Sequence, residues 1–544
     1  MPLALRHSAV LFLLIFAAIF LLHWPLLGLP YFWDEAGYYI PAAHDLFLTG
    51  SLIPHSTPSN AHPPLVMAYL AAWWKVAGFS LFVTRTAMLV VAALSLVGVF
   101  RLGKRVANLE VALAATVCTA LYSVFFAQST MAHVDLAAAG LTLWGLEAYL
   151  GQRWRAAVMW FSLAVLAKET AVLAPLGLLA WEIVTYLLPF GPLNGLARTM
   201  SMASPERCPG RKPFPRIQFA SLSVPILVLC SWYGYHYAST GYVFGNPEFF
   251  RYNVQATMSG VRIVLALGMR LWQSFGYMHM WVLMLLMMWA MTRPALCDGD
   301  RERPRIAIPV QCLFAALILT YVAAMAVVGG AVLARYMLTV VPLVILVAVS
   351  TLWRRIRQWR WLVGLACIAF VLALLFNPPY GFAPEDNLAY RDYIVMHRQA
   401  ESYLESHYPK ARVLTAWPAS AEISQPYLGY VAQPLQVLRV EDFSADEIMG
   451  AAQARTHFDV ALVFSTKYEP HPTLFDRWRA WESIKTRFFG FHRDVPPVLA
   501  AQMLGGRVVF MRVNRGQWVA VIELDRVLDA RLRGEPGRPA ALAP

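Results

Sequence analysis

An acidic pair, Asp34-Glu35, stands in the aromatic run YFWDEAGYY just after the first long apolar stretch of the chain. Aromatic neighbours partly desolvate a carboxylate and raise its basicity, which suits a general base taking a proton from an attacking hydroxyl. The competing reading is local: aspartate favours helix starts, and a helix beginning at Glu35 would use Asp34 as its N-cap. Further along, His62 precedes Pro63-Pro64-Leu65, where two prolines fit a helix start. Its imidazole either meets a phosphate or caps that helix. Asp135, in QSTMAHVDLAAAG, sits where a later apolar stretch begins. An ionisable group at such depth is costly and asks for a role, with a cap again as the alternative. Four cations lie at comparable positions: Arg85, Lys168 beside Glu169, Arg251, and Arg335 followed by Tyr336 in GGAVLARYMLTVVPL. Converging cations suit an anionic headgroup, and arginine holds phosphate oxygens with two parallel donors. Each could instead snorkel to water from a helix end, the preferred reading for Arg251.

These residues need elements to position them. About twenty apolar residues at 1.5 Å rise cross a hydrocarbon layer. Stretches of that kind lie near 8–29, 81–100, 109–127, 132–150, 154–167, 170–188, 217–238, 272–292, 306–328, 331–352 and 359–376. The expectation is an α-helical polytopic membrane protein with about eleven spans. Of the 26 Lys/Arg up to Phe376, 19 fall on one set of alternate loops, the positive-inside pattern. The other loops, among them an outer loop over 30–80 with helical pieces near Glu35–Leu48 and Leu65–Gly78, are then extracytoplasmic. The singled-out acids and cations fall on that side.

Composition supports the membrane reading and excludes others. The 544 residues are 58% hydrophobic and 14% charged, with mean hydropathy +0.51, outside the range of a soluble globular chain. The net charge of +13 could suggest nucleic acid, but from Asn377 onward 19 Lys/Arg meet 19 Asp/Glu, so all the excess belongs to the membrane half. No nucleic-acid partner is implied. Six scattered cysteines show no metal-finger spacing. The membrane domain is thus read as 1–376. A soluble α/β domain follows over 377–530, with a helix near Leu388–Tyr408 and strands near Arg412–Ala416, Phe458–Phe464, Val508–Val513 and Trp518–Leu524. A disordered tail, rich in Arg, Ala, Gly and Pro, covers 531–544.

Over roughly residues 8–352 the chain resembles the membrane-embedded glycosyltransferases of the C superfamily. Within them it is similar to bacterial relatives of the dolichyl-phosphate-mannose protein mannosyltransferases and of the lipid A aminoarabinose transferase. The resemblance is carried by Asp34-Glu35 after the first span, His62-Pro63-Pro64-Leu65, Arg85 at the head of the next span, Asp135, Ala167-Lys168-Glu169-Thr170, and Arg335-Tyr336 leading into a span with Pro342. It implies the C-superfamily fold, a polyprenyl-phosphate-linked sugar donor, and transfer with inversion on the extracytoplasmic face of a bacterial inner membrane. It further implies Asp34 as base, Glu35 and Asp135 orienting the acceptor or a cation, and Arg85, Lys168, Arg335, Tyr336 and His62 around the donor phosphate. Glu169 would line the cavity. The acceptor is a glycan, a lipid or a protein, since the spans after about 270 and the domain from 377 depart from the known members. No cofactor is fixed; a divalent metal stays open, because related enzymes differ in that need. Two other functions fit a polytopic chain: a transporter or polyprenyl-lipid flippase, and a non-catalytic assembly partner. Transporters commonly place charges near mid-bilayer in inverted repeats. Here the charges cluster at one face.

Overall fold

The structure, a computed structural model, describes residues 3–187, 215–247, 250–251, 257–468 and 478–525. The expected tail 531–544 lies outside the described residues. The chain forms two compact units: Met1–Pro25 with Ala43–Phe376, and Leu26–Ala42 with Asn377–Pro544.

The first unit is helical. Its elements are α1 (Leu3–His23), α2 (Ile40–Thr49, entered from the second unit), α3 (Leu65–Ala77), α4 (Leu81–Val106), α5 (Leu109–Leu121), α6 (Ser123–Gln128), α7 (Val134–Leu150), α8 (Trp154–Ala167) and α9 (Leu173–Leu187). Then come α10 (Arg216–Thr240), α11 (Gly260–Phe275), α12 (Met280–Met291), the small hairpin β1 (Cys297–Asp298) and β2 (Arg301–Glu302), α13 (Ile308–Val327), α14 (Val341–Arg355) and α15 (Trp359–Leu375). Among the described residues five helices are long and apolar enough to cross a membrane: Ser8–Leu26, Leu81–Val106, Glu169–Leu187, Arg216–Thr240 and Ile308–Val327. Several others, α3, α5, α8 and α15, are apolar but shorter.

Most expected spans coincide with helical structure, with three corrections. In 331–352 only the short turn Ala334–Met337 precedes α14, which begins at Val341. The stretch 109–127 is interrupted after Leu121, where Tyr122 takes an extended conformation before α6. The stretch 272–292 is not one helix: α11 and α12 meet at a 74° bend. Met278 and His279 there have positive φ, 45° and 62°, and a methyl at Gly276 would overlap the Trp272 ring. Helical structure also begins earlier than expected, at Gly260, because Arg262 and Arg270 read as loop charges. In the fold both are buried and bonded to backbone carbonyls.

Small residues let the helices close. Gly140 of α7 packs on Ser95 of α4 so tightly that a side-chain carbon at 140 would overlap the Ser95 hydroxyl. At the basic ends of these helices Glu147 of α7, almost fully buried, is paired with Arg101 (3.7 Å), Arg105 (2.7 Å) and Arg153. Part of the cationic excess on that side therefore fastens α4, α7 and the α7–α8 turn together.

The second unit is α/β, as expected. Helix α16 (Ala389–His407) precedes β3 (Arg412–Ala416), α17 (Ala419–Ser424), β4 (Gln436–Val440), α18 (Ala445–Gln453), β5 (Val460–Phe464), α19 (Arg479–Phe489), α20 (Pro497–Leu504), β6 (Gly506–Asn514) and β7 (Gln517–Leu524). The sheet order is β4-β3-β5-β7-β6, with β3 parallel to β4 and β5, and β7 antiparallel to β5 and β6. The all-apolar run of β5 is wholly buried, as a central strand requires. Residues 26–42 join this unit through a main-chain bond from Tyr31 N to Leu428 O (3.4 Å) and a bond from the Tyr430 hydroxyl to Tyr31 O (2.9 Å).

That joining has a steric signature. Gly37 lies against the indole of Trp417, and a Cβ there would interpenetrate it. Gly37→Ala should therefore cost about 1–3 kcal/mol through overpacking, read as a lowered midpoint of thermal unfolding. An unchanged midpoint would mean that the two residues are not in contact.

Candidate active site

In the second unit, Asp34 occupies the N-cap position of the wide helical turn Glu35–Tyr39, yet its side chain makes no capping hydrogen bond. The capping alternative for Asp34 is thus not realised. The turn holds itself differently: fully buried Glu35 accepts the Phe32 N–H at 2.8 Å through Oε2. Trp33, immediately before Asp34, has φ 47°, a left-handed conformation that costs a bulky residue on the order of 1–3 kcal/mol. Packing over-determines it, since the Trp33 ring stands edge-on to Tyr393 (5.7 Å) and Trp417 (5.5 Å). The half-buried Asp34 carboxylate is therefore borne on a turn clamped by aromatics, the setting proposed for a base.

In the first unit the cationic residues gather around Asp135. It lies in the first turn of α7, inside the helix and not at its cap. Its Oδ1 accepts Lys168 Nζ at 2.5 Å, and its Oδ2 lies 3.3 Å from Arg335 Nε. Lys168 stands in extended conformation between α8 and the short turn Glu169–Val172. Arg335 is in the turn Ala334–Met337 that precedes α14. Arg335 Nη1 also lies 3.1 Å from Nδ1 of the buried His133.

Tyr336 lies where three cations meet: Lys168 Nζ is 4.0 Å from its ring centroid, the Arg270 guanidinium 5.3 Å and that of Arg335 5.7 Å. Arg85, fully buried near the start of α4, donates to Thr130 O at 2.9 Å. His62 Nδ1 lies 3.0 Å from Glu169 Oε2. Of its two sequence readings, the cap is not seen: the N-cap position of α3 is Pro64, with no side-chain bond. Arg251 is exposed.

Four contributors were missed in the sequence: His133, Arg262, Arg270 and Gln273. Arg270 donates to Leu333 O (2.7 Å) and Met325 O (3.2 Å), Gln273 to Val332 O (2.8 Å), and Arg262 to Gly329 and Gly330 O (both 2.9 Å). One face of α11 thus holds the loop that ends in Arg335-Tyr336. The legible signal was spacing: Arg262, Arg270 and Gln273 share that face at helical intervals. Arg270 Nη2 is buried and has no hydrogen-bond partner. Buried cationic donors left in that state call for an anion.

Arg270→Lys keeps the charge but loses the planar fork that holds this loop. The loop ending in Arg335-Tyr336 should be held less tightly, at a cost of about 1–3 kcal/mol read as a lowered midpoint of thermal unfolding. An unchanged midpoint would mean that these bonds do not hold the loop.

Comparison with known proteins bears on one segment and on the fold. Residues 61–205, which contain His62, Arg85, Asp135, Lys168 and Glu169, match the family model described as dolichyl-phosphate-mannose-protein mannosyltransferase. No curated protein matches the chain in a sequence search. Among solved structures, ArnT from Cupriavidus metallidurans in the apo state aligns over 95% of this chain and 98% of its own, with 12% identity and TM-score 0.50. The same protein bound to undecaprenyl phosphate aligns over 94% and 97%, with 12% identity and TM-score 0.49. The archaeal oligosaccharyltransferase AglB from Archaeoglobus fulgidus, in complex with an inhibitory peptide and a dolichol-phosphate, covers 90% of this chain and 70% of its own length at 12% identity and TM-score 0.44. The chain thus shares the fold of ArnT, and its segment 61–205 matches the family model of the dolichyl-phosphate-mannose-protein mannosyltransferases.

Proposed function

We propose that this protein moves a sugar from a polyprenyl-phosphate donor to an acceptor hydroxyl on the extracytoplasmic face of a bacterial inner membrane. The observation that carries the reading is a convergence of buried cations. Lys168, Arg270 and Arg335 meet at Tyr336, with Asp135 bonded to Lys168 and 3.3 Å from Arg335. Arg270 Nη2 is buried without a hydrogen-bond partner, a costly state that a phosphate oxygen would relieve. The leaving polyprenyl phosphate carries more negative charge than the phosphodiester donor, so such a cradle binds the product side of the reaction more strongly. That difference is what lowers a barrier. The family model over 61–205 and the ArnT-like fold support the same class of donor.

In this reaction the Asp34 carboxylate takes the proton of the acceptor hydroxyl as its oxygen bonds to the anomeric carbon. The bond from that carbon to the phosphate oxygen breaks, and the electron pair leaves with the phosphate. Single displacement inverts the anomeric centre. Arg85 and His62 belong to the donor side in this scheme, Glu169 to the cavity wall, and Glu35 holds the turn that presents Asp34. The α/β unit would select the acceptor, a glycan, lipid or protein.

Purified protein in micelles, given a panel of undecaprenyl-phosphoryl sugars and cell-envelope acceptors, should release undecaprenyl phosphate and form a product of opposite anomeric configuration by NMR. Retention of configuration would overturn the single displacement. Lipid movement across proteoliposomes without donor consumption would overturn the enzyme reading itself.

A further inference from the structure

Apart from the residues assigned above, the second unit buries a group of side chains that no step of the reaction uses. His397 and Glu401 lie one helical turn apart on α16, hence on one face. Glu422, on α17, which follows β3 in the chain, meets them. All three are buried, at 1%, 0% and 0% exposure. His397 Nδ1 lies 3.0 Å from Glu422 Oε2 and 3.5 Å from Glu401 Oε1, and one donor atom from each residue falls within 4.8 Å of the others.

What makes the group unusual is what it lacks. Both oxygens of Glu401, Oε1 of Glu422 and Nε2 of His397 are buried without a hydrogen-bond partner. Among the described residues, neither carboxylate is paired with a lysine or arginine. Its walls include the Tyr393 ring, stacked on the imidazole at 3.7 Å, and Phe464, edge-on at 4.7 Å. Two carboxylates in such surroundings are strongly destabilised unless a cation or a proton joins them. Burial and the neighbouring Glu422 push the Glu401 carboxyl well above the usual carboxylate range.

We propose that His397, Glu401 and Glu422 form a closed structural site for one divalent transition-metal ion of the zinc or manganese type. The donors, one imidazole nitrogen and two carboxylates, are borderline in hardness and suit these ions better than magnesium or calcium, which take oxygen alone. Two carboxylate charges balance a divalent ion and leave the imidazole neutral, the state in which it ligates. Zinc at about 2.0–2.1 Å from each ligand sets ligand separations near 3.4 Å for a tetrahedron. The observed 3.0 and 3.5 Å distances already bracket that value. The fourth position falls to the second Glu401 oxygen, also buried without a partner, and full burial keeps substrate out, so the ion is structural and fastens α17 to α16. Tyr393 also contacts Phe32 at 5.1 Å and Trp33 at 5.7 Å, so the ion would stiffen the bed of the Asp34 turn. The proposal is independent of the transfer reaction.

The test uses full-length protein in micelles, stripped with a chelator and then dialysed against Zn2+ or Mn2+. Mass spectrometry of the metal should find about one ion per chain attributable to the trio, and unfolding should shift up by roughly 5 °C at saturating metal. Glu401→Gln and Glu422→Gln keep side-chain shape and remove a buried charge, so they should fold while losing both the ion and the shift. Metal content that is equal in wild type and both variants overturns the proposal. A wild type that takes up no ion at millimolar metal also overturns it, and a more stable Glu401→Gln variant would then identify a proton-sharing trio. Should the variants not fold, an anomalous-scattering peak at the zinc edge between the three wild-type side chains decides: its presence supports the site and its absence overturns it.

Discussion

Asp34→Asn should reduce sugar transfer by roughly 10²–10⁴-fold, the range expected when a positioned general base is removed. The amide is nearly the same size and cannot take the acceptor's proton. Because the Asp34 carboxylate makes no capping hydrogen bond, and the turn is held by Glu35 and the aromatic clamp, the variant should express and unfold like the wild type. Donor affinity should be unchanged while kcat falls. Turnover of the lipid-linked sugar at the wild-type rate by a folded Asp34→Asn protein would remove this residue from the chemistry.

Asp135→Asn should act on stability first. It removes the carboxylate charge that lies between Lys168 and Arg335 and leaves a buried ammonium and a buried guanidinium without it. Breaking such a pair from one side costs about 3–5 kcal/mol, so expression and the unfolding midpoint should both drop. An anion in the cradle would supply part of the missing charge. Undecaprenyl phosphate should therefore raise the midpoint of the variant by more than it raises that of the wild type. Equal shifts in the two proteins would mean that the lipid phosphate does not sit among these cations, against the proposed donor site.

Much of this was readable in the linear chain, for physical reasons. Asp135, Lys168 and Arg335 stand out because a charge flanked by apolar residues must find a partner, and they found one another. The helix expected at Leu388–Tyr408 is observed over Ala389–His407, and the first α/β strand has its expected limits, since amphipathic period and β-branched runs act locally. The edge strand Gln436–Val440 escaped notice because a short strand with exposed ends lacks the buried run that marks β5. Arg262 and Arg270 were hidden for the opposite reason: their charges made a helix look like a loop, and only carbonyls some sixty residues downstream explain their burial. The trio His397, Glu401 and Glu422 has no ligand spacing to detect, because β3 and its following turn fold the third member back. Nor does hydropathy announce that residues 26–42 pack with the α/β unit.

That last arrangement bears on biosynthesis. Translation proceeds from the amino end, so Asp34 is made within the first tenth of the chain, whereas Tyr393, Trp417 and Tyr430 are made after some seven tenths of it. Until those late residues leave the ribosome, Trp33 lacks the Tyr393 and Trp417 rings that clamp its left-handed backbone, and the proposed base lacks a settled orientation. A nascent or prematurely terminated membrane half would thus be unable to consume scarce lipid-linked sugar, and competence would arrive only with completed synthesis.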